Sequence, residues 1–165
     1  MIDLKEYIQD IPDFPQKGIM FRDIQPLLMN QYIFKETIKR MGNMTQVPDY
    51  WVGIESRGFI FASALSYKFG GGLRLVRKAG KLPNTNIVSA SYNLEYGTDK
   101  LEMAVFGEES GTCVIVDDVL ATGGTIDAVE QLCQSAGLTV IDKLCLIDIG
   151  ISPRTDVKAL IHYEP

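Results

Sequence analysis

The run Thr112-Cys113-Val114-Ile115-Val116-Asp117-Asp118-Val119-Leu120-Ala121-Thr122-Gly123-Gly124-Thr125 carries most of the information in this chain. Its apolar block, Val114-Ile115-Val116, is short, β-branched and unbroken, as in a strand buried on both faces. Two carboxylates, Asp117 and Asp118, close that block. After a loop of small residues, Ile126, Val129, Leu132, Cys133 and Ala136 recur at helical spacing. The order is therefore buried strand, acidic pair, Gly/Thr loop, helix. Gly123 and Gly124 let the backbone turn tightly and approach a ligand closely. The first amides of the helix have no partner within it, and its dipole favours an anion at that end. Thr122 and Thr125 add hydroxyl donors, so the loop suits a phosphate. Carboxylates would repel a phosphate but accept hydrogen bonds from a sugar diol. The combination describes a sugar-phosphate site.

A bare pair of acids followed by two glycines can also be a solvated turn. Threonines on both sides of the glycines, in this order of elements, favour the ligand site. Two other phosphate motifs do not fit. A Walker A loop needs a Lys after its second Gly, and here Thr125 and Ile126 follow Gly124. No GxGxxG follows a strand, since Gly70-Gly71-Gly72 lacks the spacing.

Working outward, the chain of 165 residues is long enough for one domain with a sizeable core. Its 46% apolar and 22% charged content is that of an ordinary globular protein. No apolar run approaches a membrane span. The start, MIDLKEYIQD, is acidic and amphipathic, unlike a signal peptide, and Asp3 and Glu6 fit a capping box. A net charge of -5 argues against general nucleic-acid binding. Cys113, Cys133 and Cys145 are widely spaced in apolar surroundings, as reduced core residues of a cytoplasmic protein are. With His162 the single histidine, no metal cluster of usual spacing is expected.

Residues 3–9 suggest a short helix. Pro12, Pro15 and Gly18 then make IPDFPQKGIMFRDI a loop of defined path. Its apolar side chains either pack on the body or cover an apolar ligand. A helix is expected from Gln31 to about Met44. Trp51 to Ile54 forms a buried strand that ends in the polar turn Glu55-Ser56-Arg57-Gly58, and a helix follows to about Phe69. Leu73 to Val76 is a third strand. Arg77-Lys78-Ala79-Gly80-Lys81 is either a solvated basic turn or an anion site, and the neighbouring phosphate loop favours the latter. Ile87 to Leu94 and Leu101 to Phe106 suggest a hairpin with Gly97 in its turn. Val140 to Ile149 and Ala159 to Tyr163 complete the strands. Alternating strands and helices imply an α/β fold with a mainly parallel sheet covered on both faces. Ligands of such sheets bind beyond the carboxyl ends of the strands. The turns at Glu55, Arg77 and Asp117 all fall there.

The acidic-pair stretch resembles the phosphoribosyl pyrophosphate (PRPP) motif of the type I phosphoribosyltransferases, in the form VDDVLATGGT typical of those acting on adenine. Most of the chain agrees in collinear order. IPDFPQKGIMFRDI is similar to the hood signature, ESRGF to the pyrophosphate-side turn, and RKAGKLP with SYNLEYGTDKLE to the flap signature. The resemblance implies one phosphoribosyltransferase domain over 1–165, with a hood over 1–30 and a flexible β-hairpin flap over 78–107. It implies transfer of ribose 5-phosphate from PRPP to N9 of adenine, with Mg²⁺ held mainly through substrate, in a cytoplasmic homodimer. Ala121, Thr122, Gly123, Gly124 and Thr125 would hold the 5′-phosphate, and Asp117 and Asp118 would lie near the ribose hydroxyls. Ser56, Arg57, Arg77, Lys78 and Lys81 would serve the pyrophosphate. Met20, Phe21 and Arg22 would form the adenine side. Glu95, with Tyr96 beside it, would handle the N9 proton, although Glu95 could be a plain turn residue and Glu102 is a second candidate. Met103-Ala104-Val105-Phe106 departs from the family's usual polar continuation, so the second flap strand is expected to pack differently. The C-terminal region from Ile151 matches weakly. A transferase for another purine base and a non-catalytic PRPP-sensing regulator are the competing assignments.

Overall fold

The computed structural model describes residues 2–83, 86–94, 97–108 and 110–164. They form two compact units, Met1–Arg40 and Met41–Pro165.

In the smaller unit the expected first helix is a single 3-10 turn, Leu4–Tyr7, capped by the Asp3 carboxylate, which accepts from the Lys5 amide at 2.9 Å. The stretch expected as a loop is instead a hairpin. Strands β1 (Gln9–Pro12) and β2 (Met20–Asp23) run antiparallel with Ile11 opposite Phe21 and Asp10 opposite Arg22. Pro15 and Gly18 lie in the connection, and Pro12 ends a strand, so none breaks the ladder. The Asp13 carboxylate accepts from the Gly18 amide at 2.7 Å, and the Phe14 ring meets Phe21 edge-on at 5.1 Å. A short helix, α1 (Gln25–Met29), follows, with Pro26 in its first turn, where a missing N–H costs nothing. Helix α2 (Gln31–Gly42) starts at Asn30, whose side chain accepts from the amides of Tyr32 and Ile33 at 3.1 Å.

The larger unit is built on one sheet. Its elements are β3 (Tyr50–Ile54), α3 (Gly58–Phe69), β4 (Gly72–Lys78), β5 (Ile87–Leu94), β6 (Gly97–Ala104), β7 (Gly111–Leu120), α4 (Gly124–Ser135), β8 (Leu138–Asp148) and β9 (Lys158–His162). The strand order is β5-β6-β4-β3-β7-β8-β9. The five strands from β4 to β9 pair in parallel, and β6 and β5 extend that sheet antiparallel at one edge. This is the mainly parallel α/β sheet expected from the sequence.

Alternation along the strands separates the two faces. Val52, Ile54, Val76, Cys113 and Ile115 share a core cluster with Ile126, Val129, Leu132 and Cys133 of α4. The intervening residues Trp51, Val114, Val116, Leu144 and Leu146 are fully buried, as are Phe61, Ala62 and Leu65 of α3. The crossover from β3 through α3 leads to β4 on one side. The crossover from β7 through α4 leads to β8 on the other. Right-handed crossovers in opposite directions place their helices on opposite faces, and the chain reverses direction between β3 and β7. The departure at Met103-Ala104 also has a structural cause. Leu101, Met103 and Ala104 are buried, and Val76 pairs with Met103, so this part of β6 belongs to the core rather than to an exposed flap. All three cysteines are buried free thiols.

Candidate active site

The reversal between β3 and β7 opens a crevice beyond their carboxyl ends, where open α/β sheets bind ligands. Two helices begin there, α3 directly after the Glu55-Ser56-Arg57 turn and α4 directly after the 121–123 loop. Neither has a side-chain cap at its N-terminus. At α3 the Phe59 and Ile60 amides donate instead to the Ser56 and Arg57 carbonyl oxygens at 3.2 Å, whereas the start of α4 offers its first amides to the crevice without a side-chain acceptor. Gly58 makes the close approach of α3 to β7 feasible, since a Cβ there would lie 2.7 Å from the Val116 carbonyl oxygen.

At α4, Gly123 has φ of +92°, a left-handed conformation that turns the chain into the helix. A concavity of about 60 Å³ is lined by Asp117, Ala121, Thr122, Gly123, Thr125 and neighbours. The loop expected to take a phosphate therefore lines a concavity at the start of α4. A larger concavity of about 490 Å³ includes Thr45, Thr112, Asp142 and Lys158. It adjoins the amino-terminal start of β7, and its charges already neutralise each other, with Lys158 Nζ 2.6 Å from Asp142 Oδ1. Size alone does not mark the site here.

The acidic pair differs residue by residue. Asp118 is almost fully buried, with Arg57 Nε 2.7 Å from its Oδ2. The Asp118 amide donates to Asp117 Oδ1 at 2.9 Å. Burial, and then the adjacent Asp118 charge, push the Asp117 carboxyl well above the usual carboxylate range. Burial also raises Asp118, against the pull of the Arg57 guanidinium. Arg57 was expected on the pyrophosphate side and is found bridging to the acidic pair, so the turn after β3 is tied to β7 by charge.

On the other side of β3, Arg77 and Lys78 end β4, and Lys81 lies just beyond. The Glu55 carboxylate holds them together. It accepts from Lys81 Nζ at 2.6 Å and from the Lys78 amide at 2.9 Å, and lies 3.4 Å from Arg77 Nε. Burial opposes its ionisation more than any single contact does. Lys81, the Lys78 amide and Arg77 together nevertheless hold it below its ordinary value. The three turns thus meet on one rim, linked through the turn after β3. Ser56 is exposed in that turn.

Glu95 and Tyr96 lie outside the described residues. Glu102 is a buried carboxylate that accepts from the Gly80 amide at 3.0 Å, with Lys100 Nζ at 3.8 Å. Met20, Phe21 and Arg22 occupy β2 of the smaller unit, where Arg22 pairs with Asp10 across the hairpin.

Three further residues belong to the rim although none was a candidate site residue. Glu55, the first residue of the ESRGF turn, is one. Tyr92 of β5 is another: its hydroxyl donates to Asp99 Oδ2 at 3.2 Å, and the Asp117 charge and the Thr125 hydroxyl both act on it. Burial, then the Asp99 charge, raise its pKa. The alternation Val88, Ala90, Tyr92 was the available signal, because it turns Tyr92 toward the same core face. The third is Arg154, in the segment between β8 and β9. Its guanidinium bridges Asp127, in the first turn of α4, and Asp156. A Cβ on Gly123 would lie 2.7 Å from Arg154 Cδ, so the arginine stem lies against the phosphate loop.

Residues 33–161 match the family model described as phosphoribosyl transferase domain. The chain is 47% identical over 171 residues to an adenine phosphoribosyltransferase of Thermotoga petrophila, covering 98% of this chain and all of that protein. Among solved structures, the adenine phosphoribosyltransferase of Thermoanaerobacter pseudethanolicus superposes with a TM-score of 0.85 at 38% identity, over 97% of this chain and 98% of that one. The Saccharomyces cerevisiae enzyme, solved with an iminoaltritol bisphosphate and adenine, gives 0.82 at 34% identity over 88% and 86% of the two chains.

Proposed function

The chain belongs to the adenine phosphoribosyltransferase family, and from that premise we propose that it transfers the 5-phosphoribosyl group of PRPP to N9 of adenine, giving AMP and pyrophosphate in purine salvage. The observation that carries this reading is the crevice between β3 and β7, where an uncapped helix start, an acidic pair and a cationic turn converge. Loss of pyrophosphate builds positive charge on the sugar and negative charge on the leaving group. The start of α4, with Thr122 and Thr125, holds the 5′-phosphate. Asp117 and Asp118 accept from the ribose hydroxyls and tolerate the developing positive charge. The turn after β3, with Arg77, Lys78 and Lys81, stabilises the pyrophosphate as it leaves. Met20, Phe21 and Arg22 take the adenine side, Phe21 through its ring.

The donor set suits a magnesium ion shared with substrate. Among the described residues no three His, Cys, Asp or Glu side chains gather to cage a metal. Magnesium is commonly held by one or two carboxylates plus substrate phosphates, and the acidic pair could supply one while substrate holds the ion in the main. The ion would neutralise charge on the leaving group.

Glu95 is assigned as the base for the N9 proton, with Tyr96 beside it. Glu102 is set aside because its carboxylate is already engaged by the Gly80 amide and Lys100. A homodimer in the cytoplasm is the working assembly; no helix among the described residues is long and apolar enough to cross a membrane.

Pyrophosphate release should be followed with PRPP and adenine, hypoxanthine, guanine or xanthine in turn. Adenine should be the productive base. Glu95→Gln should slow turnover roughly 10²–10⁴-fold while PRPP still binds. Turnover with an oxopurine but not adenine would overturn the base assignment, and an unaffected Glu95→Gln would remove that residue from the chemistry.

A further inference from the structure

Glu55 presents a carboxylate to the very groups assigned above to the leaving pyrophosphate. Its side chain is only 9% exposed. Three donors converge on it: Lys81 Nζ at 2.6 Å, the Lys78 amide at 2.9 Å and, close by, Arg77 Nε at 3.4 Å. Arg77 is further fixed by donating through Nη1 to the Lys81 carbonyl oxygen at 3.3 Å. Two cationic side chains and a backbone amide around a single oxyanion pair are what a phosphate group would also require. A carboxylate this enclosed would be strongly disfavoured unless paired, so the cluster is an arrangement in which each partner needs the others.

We propose that Glu55 is an internal counter-anion of the pyrophosphate subsite: it keeps Arg77 and Lys81 aimed at the crevice and competes with pyrophosphate for them, limiting how tightly the product is held. This rests on the assignment of Arg77 and Lys81 to pyrophosphate. A diphosphate that engages them must share or displace the carboxylate, and like charges at this separation repel appreciably in a partly buried setting. Glu55 is thus a positioning residue. It acts on substrate through the cations and makes no bond in the reaction. Its charge weakens PRPP and pyrophosphate binding together, so it speeds product release at the expense of substrate affinity.

The test is calorimetric titration of magnesium pyrophosphate into wild type, Glu55→Gln, Glu55→Asp, Arg77→Met and Lys81→Met, with steady-state kinetics on the same proteins. Glu55→Gln should bind pyrophosphate about tenfold more tightly. KM for PRPP should fall by more than kcat, so that kcat/KM for PRPP rises up to about tenfold. Glu55→Asp, which keeps the charge, should restore wild-type affinity. Arg77→Met and Lys81→Met should each weaken pyrophosphate binding. Weaker or unchanged binding in Glu55→Gln, with the two cation variants weakened as expected, overturns the counter-anion role and leaves the subsite standing. No effect in the cation variants overturns the subsite assignment and the proposal with it. In the unsubstituted protein, ¹³C-carboxyl NMR of labelled glutamate should show the Glu55 resonance shift on saturation with magnesium pyrophosphate. An unmoved resonance counts against the proposal even if Glu55→Gln does not fold.

Discussion

Asp117 carries a stability cost at the position proposed to meet the ribose. Burial and the Asp118 charge hold its carboxyl well above the usual range. Its folded-state pKa is therefore raised above the value of an unfolded Asp, near about 3.9. Between those two values the folded chain binds more protons than the unfolded one, so stability declines as pH rises through that window. The full burden is present once pH exceeds the folded value. Asp117→Asn removes it. Thermal unfolding at pH 7 should occur at a higher temperature than in wild type, by about 2–4 °C for each kcal/mol gained, and the gain should shrink toward pH 4. The same variant should lose kcat/KM by about tenfold to a hundredfold, because a charged acceptor for the ribose hydroxyls is gone. Melting curves across that pH range, beside kinetics with PRPP and adenine, check both signs. The pair was legible in the sequence as carboxylates ending a buried strand. The difference between its members was not, because it depends on Arg57, sixty residues upstream, reaching Asp118.

Among elements, the connection from β8 to β9 matters more than its weak motif match suggests. Arg154 draws Asp127 and Asp156 together, while Lys143 of β8 joins Glu130 of α4 to Asp156 at 2.9 and 2.7 Å. These contacts tie the segment to the first two turns of α4. Asp127 would otherwise place an uncompensated negative charge in the turn proposed to receive a phosphate. Arg154→Ala should raise KM for PRPP about tenfold, equivalent to about 1.4 kcal/mol. Asp127→Asn in that background should recover part of the loss, and initial-rate measurements on the double-mutant cycle decide it. The segment lacked a signal because its partners lie far away in sequence. The stretch expected as a loop is a hairpin for a different reason. Pro12, Pro15 and Gly18 were correctly associated with a turn, but proline at a strand end and in a connection is compatible with a two-stranded ladder, and the cross-strand pairs lie eight to fourteen residues apart.

For the whole molecule, the topology explains how the groups proposed for a phosphate, a diol and a diphosphate come together. The reversal between β3 and β7 brings two helix starts and three strand-end turns to one crevice, and ion pairs from the turn after β3 cross to both neighbours. Binding there should stabilise the fold by mass action. PRPP with magnesium at about a hundred times its dissociation constant should add about 2.7 kcal/mol, or roughly 5–10 °C in melting temperature. Chelating the metal should shrink that shift, as differential scanning fluorimetry would show. An equal shift with and without metal would argue against a shared ion.

The sequence by itself determined the elements of the larger unit and the acidic-pair and glycine-loop motif at the start of α4. Buried parallel strands have a distinctive apolar run, and a strand-loop-helix motif needs particular residues next to one another, so both are local. Only the tertiary structure decided which strands flank the reversal. It also decided that Arg57 joins the acidic pair, that Glu55 gathers the cations, and that Arg154 lies against Gly123. Each of these is a contact between segments distant in sequence, and its existence depends on strand order and register, which no local pattern encodes.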